Sequence, residues 1–584
     1  MSRGRKARPA GGRARGAPPR VATHPRVAGR AAILAAILVV AGALAYGSGL
    51  SSPFLFDDQN AIVRNSQIRQ LSPLSVPLSP PRDTPVAGRP LVNLSFALNY
   101  AAGGLSPAGF RSVNLAIHLG VGLVLFGVMR RALVLPRLVE RFGADATGLA
   151  WACALLWTLH PLQTEVVNYL SERTESLMGL CYFLTIYCSL RALPAVLRKD
   201  ARTDSRWSAG AVAACAAGMA CKESMVTAPV VVLLFDRVFI FDSWRDAIGV
   251  RGRFYAGLAA TWLVLGALLW GTPRTSAGFG SGVSPWVYLL NQLRMIVRYL
   301  QLAVWPRSLV LDYGLPQPLA LVDVLPEAAI VVALALVTCA ALRYRPMLGF
   351  LGAWFFITLA PTSSIVPIST EVGAERRMYV PLAALVVLAV VGVHAIVRRA
   401  RADAAPGTDS GRLRGGAAYG AAALAVVSLL MVAGIVLRTR EYASTLTMAR
   451  TIVERWPSGR GHFLLGTELI QAGRVAEGIE ELRASARDYP GGLYALGTEL
   501  LGTGALEEGI DALQRFVKAL PAHPTVVPAR EMLGRAYFAQ GNLAEAAAQF
   551  ELLLQAAPQH PAAQEFLGQV RAAQGQLGPG PRVR

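Results

Sequence analysis

Charged residues are scarce in this chain of 584 residues: only 16% are Asp, Glu, Lys or Arg, and 53% are hydrophobic. Soluble globular domains carry about 25% charged residues, so this composition argues against a soluble protein. The mean hydropathy is +0.42, which is also high for a soluble protein. The composition predicts a polytopic membrane protein with membrane lipid as a partner.

Paired cysteine motifs are absent as well. The six cysteines form no CxxC motif and no Cys/His cluster, so neither a disulfide framework nor a zinc site is predicted. We expect these cysteines to be buried as small side chains in or beside apolar spans. The sequence therefore predicts no metal site and no cofactor.

Acidic residues are missing from the first 30 positions, which are rich in Arg, Gly and Pro. We predict a disordered basic cytoplasmic tail over residues 1–30. The net charge of +21 comes largely from Arg in short connectors between apolar spans. This pattern indicates membrane topology, and we predict no nucleic-acid partner.

Apolar spans follow over residues 31–440, and we predict about eleven membrane helices there. The basic connectors all face the cytoplasm only if residues 286–305 lie in the membrane interface rather than cross it. The N-terminus is then cytoplasmic and the C-terminus lies on the outer face. The high Ala, Gly and Arg content is typical of a bacterial source, which makes the predicted location the inner membrane.

The composition changes after the last span. Leu-Gly pairs recur at 465–466, 496–497, 533–534 and 567–568, and further glycines recur at a mean spacing of 34 residues between 473 and 575. This is the tetratricopeptide period, in which each helix pair buries its apolar face on the next pair. We predict a tetratricopeptide α-solenoid over residues 441–577, and an all-α fold for the whole chain.

The first outer loop carries two adjacent acids, Asp57 and Asp58, and a Gly-Arg-Pro-Leu motif with Arg89. Adjacent like charges resist simultaneous ionisation in a partly desolvated site, so we expect one pKa to rise far enough for a base near neutral pH. The alternative is that both acids are solvated loop residues, one of them capping the next helix.

Two further loops on the same face carry ionisable residues between membrane spans. His160, Glu165 and Arg173 lie in one, and Lys222 and Glu223 in the other. Such residues are costly near a bilayer, which favours a substrate site. The alternatives are a polar helix end capped by His160 and a hairpin salt bridge between Lys222 and Glu223.

The last outer loop contains Glu375, Arg376 and Arg377. Two Arg outside the membrane break the positive-inside trend, and Arg donates bidentate hydrogen bonds to phosphate. We therefore predict that this pair binds an anionic ligand. The alternative is that Glu371 and Glu375 neutralise the two arginines.

These motifs, in this order and followed by the repeats, resemble the transmembrane and tetratricopeptide-repeat O-mannosyltransferases and their bacterial relatives. The motifs are FLFDD, GRPL, HPLQTEVVNY, CKES and AERRMY, and the resemblance covers residues 50–575. It implies a GT-C glycosyltransferase fold over residues 31–440 and a polyprenyl-phosphate sugar donor. It also implies that Asp57 and Asp58 are catalytic.

The sequence thus predicts transfer of a hexose, mannose by resemblance, from the lipid phosphate to Ser or Thr of exported proteins. We assign Asp57 and Asp58 to catalysis and Arg376, Arg377 and Lys222 to the donor phosphate. Substrate binding is assigned to six further residues: Arg89, His160, Glu165, Arg173, Glu223 and Glu375. Two alternatives remain, a glycosyltransferase acting on envelope glycan or lipid and a non-catalytic membrane-anchored scaffold.

Overall fold

The computed structural model describes residues 25–82, 84–198, 201–271, 277–403 and 410–576. Within these residues the chain is helical, and the only extended pairing is an isolated bridge between Ala277 and Ile368. The predicted all-α fold class is confirmed. Residues 1–24 of the predicted tail lie outside the described residues, and helix α1 begins at Pro25, so residues 25–30 are helical rather than disordered.

Fifteen helices precede the repeats in the described part of the chain. They are α1 (Pro25–Tyr46), α2 (Pro90–Gly103), α3 (Pro107–Ala132), α4 (Val139–Phe142), α5 (Ala146–Thr158), α6 (Thr164–Asn168), α7 (Arg173–Arg198), α8 (Ala201–Met219), α9 (Ala228–Phe239), α10 (Trp244–Gly271), α11 (Pro285–Val304), α12 (Leu325–Tyr344), α13 (Pro346–Leu359), α14 (Leu382–Asp403) and α15 (Ser410–Glu441).

Seven helical segments of the described chain are long and apolar enough to cross a membrane. They are Gly29–Gly49, Pro107–Ala132, Leu170–Leu193, Trp244–Trp270, Leu321–Tyr344, Leu382–Arg399 and Tyr419–Glu441. The other four predicted spans correspond to α5, α8, α9 and α13. Helices α5 and α13 have 13 and 14 residues, about 20 Å of helix, which is short of the roughly 30 Å hydrocarbon layer. The count of eleven spans therefore stays a prediction.

Helices α1, α3, α5 and α7 pack together around a buried polar group. His118 on α3 lies 2.9 Å from the Tyr379 hydroxyl and 3.0 Å from the Thr158 carbonyl oxygen, and the Trp157 indole N–H donates to the Tyr379 carbonyl at 3.1 Å. Gly122 allows this close packing, because a Cβ there would lie 2.4 Å from Thr158 Oγ1. These contacts fix Tyr379 at the end of the loop that carries Arg376 and Arg377.

Helix α11 covers the segment predicted to lie in the interface, and it is not among the seven candidate spans. Its buried face carries Tyr288, Gln292 and Tyr299, and all three hydrogen-bond to the loop between α13 and α14. Trp286 and Trp305 are exposed at its two ends. Such aromatic ends suit a membrane interface, and the interfacial placement stays a prediction.

Eight helices form the C-terminal part. They are α16 (Thr445–Arg455), α17 (Gly459–Gln471), α18 (Val475–Ser485), α19 (Pro490–Gly502), α20 (Leu506–Ala519), α21 (Val526–Ala539), α22 (Leu543–Ala556) and α23 (Pro561–Gln576). The paired helices predicted from the repeat are present: α17–α18, α19–α20 and α21–α22.

Glycine serves two purposes at equivalent positions of the repeats. Gly473, Gly504 and Gly541 have φ of 77°, 85° and 76° in the turn between the helices of each pair, a conformation that glycine adopts without strain. Gly466 and Gly497 lie where a Cβ would approach a carbonyl oxygen of the partner helix to 2.9 and 3.1 Å. The recurring glycines in the sequence are therefore explained by turns and by close helix packing.

Helix α16 connects the two parts. Its Met448 and Ile452 belong to the same hydrophobic cluster as the membrane helices, whereas Leu513 and Phe550 belong to a separate cluster in the repeats. Helix α15 ends at Glu441, and the domain boundary at residues 440–441 stays a prediction. The first helix beyond that boundary is nevertheless packed against the membrane part.

Candidate functional site

The two adjacent acids lie in very different surroundings. Asp58 is fully buried, and its carboxylate accepts hydrogen bonds from the backbone N–H of Leu55 at 3.1 Å and of Ser171 at 2.7 Å. Asp57 is exposed, and its backbone N–H donates to the Tyr169 hydroxyl at 2.9 Å. Of the two carboxylates, only that of Asp57 is accessible to a substrate.

The turn that carries these acids is strained. Phe56, immediately before Asp57, has φ of 34°, which is unusual for a bulky residue. Such backbone conformations cost about 1–3 kcal/mol and cluster at functional sites. The hydrogen bonds of Asp58 to Leu55 in the same turn and to Ser171 just before α7 hold this turn in place.

Both carboxyl groups have raised pKa values. Burial raises the pKa of Asp58 to about 7, although the backbone N–H groups of Leu55 and Ser171 favour its ionised form. Desolvation by the surrounding protein also raises the pKa of Asp57, while the positive charges of Arg460 and Arg376 oppose that rise. The predicted pKa increase of a paired acid is thus present, but its main cause is desolvation rather than mutual repulsion.

Arg376 contacts three acidic residues, two of which, Glu165 and Glu172, are about 200 positions away in the sequence. Its guanidinium lies 2.5 Å from Glu165 Oε1, 3.1 Å from Glu172 Oε1 and in contact with Glu371, and its backbone N–H donates to Glu165 at 2.9 Å. Glu165 is fully buried. We call Asp57, Glu165, Glu172, Glu175, Lys222, Glu371, Arg376 and Arg377 the charged cluster.

Arg377 is buried beneath the same loop. It pairs with Glu371 at 2.9 Å and donates to the Thr362 carbonyl at 2.9 Å and to the Tyr288 hydroxyl at 3.2 Å. Although burial acts in the opposite direction, Arg376 and Arg377 together hold the pKa of Glu371 well below its usual range. Arg377 therefore anchors the loop and is less accessible to a ligand than Arg376.

Lys222 occupies the other side of Glu172. Its ammonium lies 2.5 Å from Glu175 Oε2 and 3.7 Å from Glu172 Oε2, so Glu172 bridges Lys222 and Arg376. A small polar cavity of about 10 Å³ adjoins this group and is lined by Glu175, Ser224 and Arg377, among others. Such a volume holds about one water molecule.

Arg89 and Glu223 form a separate pair. Arg89 lies 3.2 Å from Glu223 Oε2, and its guanidinium also donates to the Pro85 carbonyl at 2.8 Å. Both side chains are partly accessible. Glu223 directly follows Lys222 in the chain, and contact of this partly accessible pair with a substrate is geometrically possible.

The charge balance differs from the sequence-based expectation. Five acidic side chains of the charged cluster face three basic ones, so each basic group already has a carboxylate partner. The alternative that Glu371 and Glu375 neutralise Arg376 and Arg377 holds for one of the two acids. Glu371 pairs with both arginines, whereas Glu375 pairs with neither in the contacts found among the described residues.

Two residues predicted to bind substrate have structural contacts instead. His160 is buried; its Nδ1 accepts from the Leu162 N–H at 3.2 Å, and its Nε2 lies 3.0 Å from the Ala303 carbonyl oxygen. Glu375 is buried and accepts from the Val310 N–H at 2.5 Å and the Tyr313 hydroxyl at 3.0 Å. Neither reaches the surface, so both assignments are corrected.

Arg173 is a third correction. Its guanidinium is fully buried and donates to Asn114 Oδ1 at 2.6 Å, to Asn99 Oδ1 at 2.9 Å and to the Phe110 carbonyl at 2.8 Å. It also lies 4.6 Å from the centre of the Phe96 ring. These contacts stabilise the ends of α2, α3 and α7, and they leave no face of the guanidinium for a substrate.

Three residues near the site were missed from the sequence. Arg111 donates to the Asn168 carbonyl at 3.2 Å and to the Pro53 carbonyl at 2.5 Å, and it thereby holds the loop that precedes Asp57. Tyr169 contacts Asp57, and Arg460 reaches the site from the repeats. Arg111 and Tyr169 were visible as polar residues in the loops predicted to lie on the outer face, but nothing in the sequence pointed to Arg460.

In the part of the chain that the structure describes, no group of three or more His, Cys, Asp and Glu side chains could hold a metal ion. The six cysteines are all free. Metal independence of the site stays a prediction.

The fold and site define a class: an α-helical membrane protein whose loops gather a charged cluster beside an α-solenoid. Comparison with known proteins agrees. Residues 463–524, 494–561 and 531–578 match the tetratricopeptide repeat family. The predicted nature of the solenoid is confirmed.

The chain is also similar to curated glycosyltransferases. It is 30% identical over 296 residues to Protein O-mannosyl-transferase Tmtc2 of Drosophila melanogaster, covering 46% of this chain and 29% of that protein. It is 29% identical over 326 residues to Protein O-mannosyl-transferase Tmtc1 of the same species, covering 50% and 35%. A third relative, human Protein O-mannosyl-transferase TMTC4, is 30% identical over 210 residues, covering 32% and 27%.

The alignments span about a third or less of these relatives' own length. The combination of such relatives with tetratricopeptide repeats confirms the resemblance to the transmembrane and tetratricopeptide-repeat O-mannosyltransferases.

Proposed function

We propose that this protein is a membrane O-glycosyltransferase. It moves a hexose, mannose by similarity to its relatives, from a polyprenyl-phosphate sugar to Ser or Thr hydroxyls of exported proteins. The observation that carries the proposal is the accessible carboxylate of Asp57, held on a strained turn beside Arg376 in a chain similar to protein O-mannosyl-transferases.

The reaction is an inverting displacement. The acceptor oxygen forms a bond to the sugar C1 while the bond between C1 and the phosphate oxygen breaks, and the hydroxyl proton passes to Asp57. A raised pKa suits a general base that works near neutral pH. Asp57 is therefore the base, and Asp58 positions the turn that presents it.

The donor phosphate is bound by Arg376 and Lys222. These two basic groups flank Glu172 and are slightly accessible, whereas Arg377 is more deeply buried. A phosphate entering between them competes with Glu172 for the same N–H donors, which costs less than binding a fully buried cation. Arg377 and Glu371 hold the loop between α13 and α14 in position while the polyprenyl phosphate departs as the leaving group.

The proposed location is the outer face of a bacterial inner membrane, with the N-terminus in the cytoplasm. Support comes from the basic connectors, which are predicted to be cytoplasmic. Single cysteines replacing Gln59, Gly278, Thr370 and Gly541 in a cysteine-free protein should react with an impermeant thiol reagent in intact cells. Reaction of the residue-541 variant only after lysis contradicts this topology.

The function is tested with purified protein, a polyprenyl-phosphate mannose donor and a Ser/Thr peptide. We expect sugar transfer that depends on the peptide hydroxyl and is lost when Asp57 is replaced by Asn. Transfer to a glycan or lipid acceptor but not to peptide would favour the first alternative. Normal assembly of envelope proteins with Asp57→Asn, and loss of assembly only on deletion of the repeats, would favour the scaffold.

A further inference from the structure

The start of the repeat domain is in direct contact with the loop that follows α11. The Trp456 indole N–H donates to the Tyr313 carbonyl at 3.0 Å, and the two rings lie 5.1 Å apart in an edge-to-face arrangement. Gly314 packs so closely on Ser458, the N-cap of α17, that a Cβ would lie 3.1 Å from the serine Cβ. The first repeat helix is therefore docked on residues 309–314.

The same loop supports the arginine pair of the charged cluster. The Gly314 carbonyl accepts from the Val372 N–H at 2.9 Å, and Glu375 accepts from Val310 and Tyr313. Residues 309–314 thus lie between α17 on one side and the loop with Arg376 on the other. Residues 309–314 therefore connect the solenoid to the site, because they contact both the start of the repeat domain and the loop that carries Arg376.

Arg460 extends from the first turn of α17 across this layer. Its Nε lies 3.0 Å from Asp312 Oδ2, and its guanidinium donates to the carbonyl of Thr370, the residue before Glu371. Arg460 thereby lies against the loop that carries Arg376, and the positive charges of Arg460 and Arg376 both oppose the rise in the pKa of Asp57. A residue of the repeat domain therefore contributes to the electrostatics of the proposed base.

We propose that the repeat domain completes the active site through Arg460, a positioning residue that stabilises the ionised carboxylate of Asp57. This inference rests on the proposed function for its catalytic meaning, although the coupling itself is a property of the structure. The solenoid then has two roles, since the same domain that is expected to hold the acceptor protein also prepares the base that accepts its proton.

The sign of the effect follows from the groups around Asp57. Desolvation and the charges of Glu172 and Glu371 raise its pKa, and Arg460 and Arg376 lower it. Asp58 adds a further neighbouring carboxyl on the same turn. Removing the charge of Arg460 leaves Arg376 alone against these acids, so the pKa of Asp57 should rise further.

The test measures the protonation of Asp57 directly in the purified full-length protein. A water-soluble carbodiimide modifies protonated carboxyl groups, and peptide mass spectrometry gives the extent of modification of Asp57 between pH 4 and 8. Loss of a nearby opposite charge typically shifts a pKa by about one unit or more. We expect the midpoint for Asp57 to move about one pH unit higher in Arg460→Gln and to stay near the wild-type value in Arg460→Lys.

Gln and Lys both carry a hydrogen-bond donor and only Lys keeps the positive charge, so comparing the two variants separates charge from hydrogen bonding. Arg483→Gln, which removes an arginine from an ion pair within the repeats, serves as the matched control and should leave the midpoint unchanged. An unchanged midpoint in Arg460→Gln, with the protein folded, overturns the proposal. An equal shift in Arg460→Gln and Arg460→Lys also overturns it, because geometry rather than charge is then responsible.

Sugar transfer supplies the second readout. The acid side of the pH–rate profile should move about one unit higher in Arg460→Gln, with transfer recovering at high pH. A variant whose rate falls equally at every pH has lost only a structural contact, which contradicts the positioning role. If the Asp57 midpoint shifts as expected but the wild-type protein transfers no sugar, the proposed function fails and the coupling of the repeats to Asp57 stands.

Discussion

The charged cluster and the repeat domain use the same chemistry, Arg paired with Glu, in opposite surroundings. Arg376 contacts three carboxylates from two separate loops, and Glu165 among them is fully buried. Arg483 in the repeats also contacts two carboxylates, Glu480 and Glu508, but all three side chains are well exposed. The N–O distances of the two sets of ion pairs are similar, but the side chains of the repeats are far more accessible to water.

This difference determines what each pair does. Exposed pairs contribute about 0–1 kcal/mol because water and salt screen them. Buried pairs contribute little net stability, yet removing one partner costs about 3–5 kcal/mol because the other charge is left without compensation. The charged cluster is therefore sensitive to single substitutions, and the solenoid surface is tolerant of them.

The largest expected effect separates the two adjacent acids. Asp57→Asn removes the proposed base while keeping its shape, so turnover should fall by about 10² to 10⁴ with donor binding and folding retained. Asp58→Asn should instead destabilise the fold by about 1–3 kcal/mol, because its amide group faces a backbone N–H donor. Kinetic assays measure turnover of both variants, and thermal unfolding measures their stability. Sugar transfer at the wild-type rate by both variants would show that neither acid is catalytic.

The next effect tests the two kinds of arginine pair against each other. Arg377→Ala should lower the free energy of unfolding by about 3–5 kcal/mol, since it removes a buried guanidinium that pairs with Glu371 and donates to the Tyr288 hydroxyl and the Thr362 carbonyl. Arg483→Ala should cost about 0.5 kcal/mol or less. Denaturant titration in detergent measures both values. Comparable losses would show that burial does not distinguish the pairs.

A smaller effect concerns pH. Burial raises the pKa of Glu375 to about 7, and one of its oxygens has no hydrogen-bond partner in the described structure. The folded protein therefore holds a proton that the unfolded chain releases above its ordinary pKa of 4.5, and stability should fall as the pH rises from about 4.5 to 7. Glu375→Gln should be more stable than wild type at pH 8, by at most about 3 kcal/mol, and equal to it at pH 4.

The control for this prediction has the opposite sign. The pKa of Glu371 is lowered, so its contribution to stability is present above its ordinary pKa and is lost only as the pH falls through the lowered value. Glu371→Gln should therefore be less stable than wild type at pH 8. A Glu375→Gln variant that is also less stable at pH 8 would show that the folded protein favours the ionised form of Glu375, which contradicts a raised pKa for this group.

The last prediction concerns divalent cations, for which we expect no effect on sugar transfer. Because the four glutamates of the charged cluster are paired with Arg or Lys, removal of divalent cations with a chelator should leave sugar transfer unchanged. Rates are compared before and after chelation and after adding back Mg²⁺ or Mn²⁺. Loss and recovery of activity would mean that a cation binds the cluster, and metal independence would then be wrong.

Much of the fold was predictable because it follows from periodic patterns. The apolar spans and the glycines of the repeats each reflect a local rule, and α17 to α22 form the expected pairs. Burial of individual polar residues was not predictable. His160, Arg173 and Glu375 look like site residues in the sequence, and only their contacts with Ala303, Asn114 and Tyr313 show that they are structural.

The sequence predicted which loops form the site but not which role each of their residues has. Asp57, Glu165, Lys222 and Arg376 do come together, although Glu165 and Arg376 are 211 positions apart. The partner of each charge could not be read from one sequence, because pairing depends on how helices such as α7 and α14 direct their ends. Arg460 was missed for the same reason.

The docking of α17 on residues 309–314 also has a consequence for modular change. The contacts made by Trp456 and Arg460 lie at the near end of the solenoid, and every later helix pair rests mainly on its neighbours. Repeats can therefore be added, removed or exchanged beyond α18 with little effect on Asp57. Under the proposed function, acceptor preference could then change through the distal repeats without a change in the residues around Asp57.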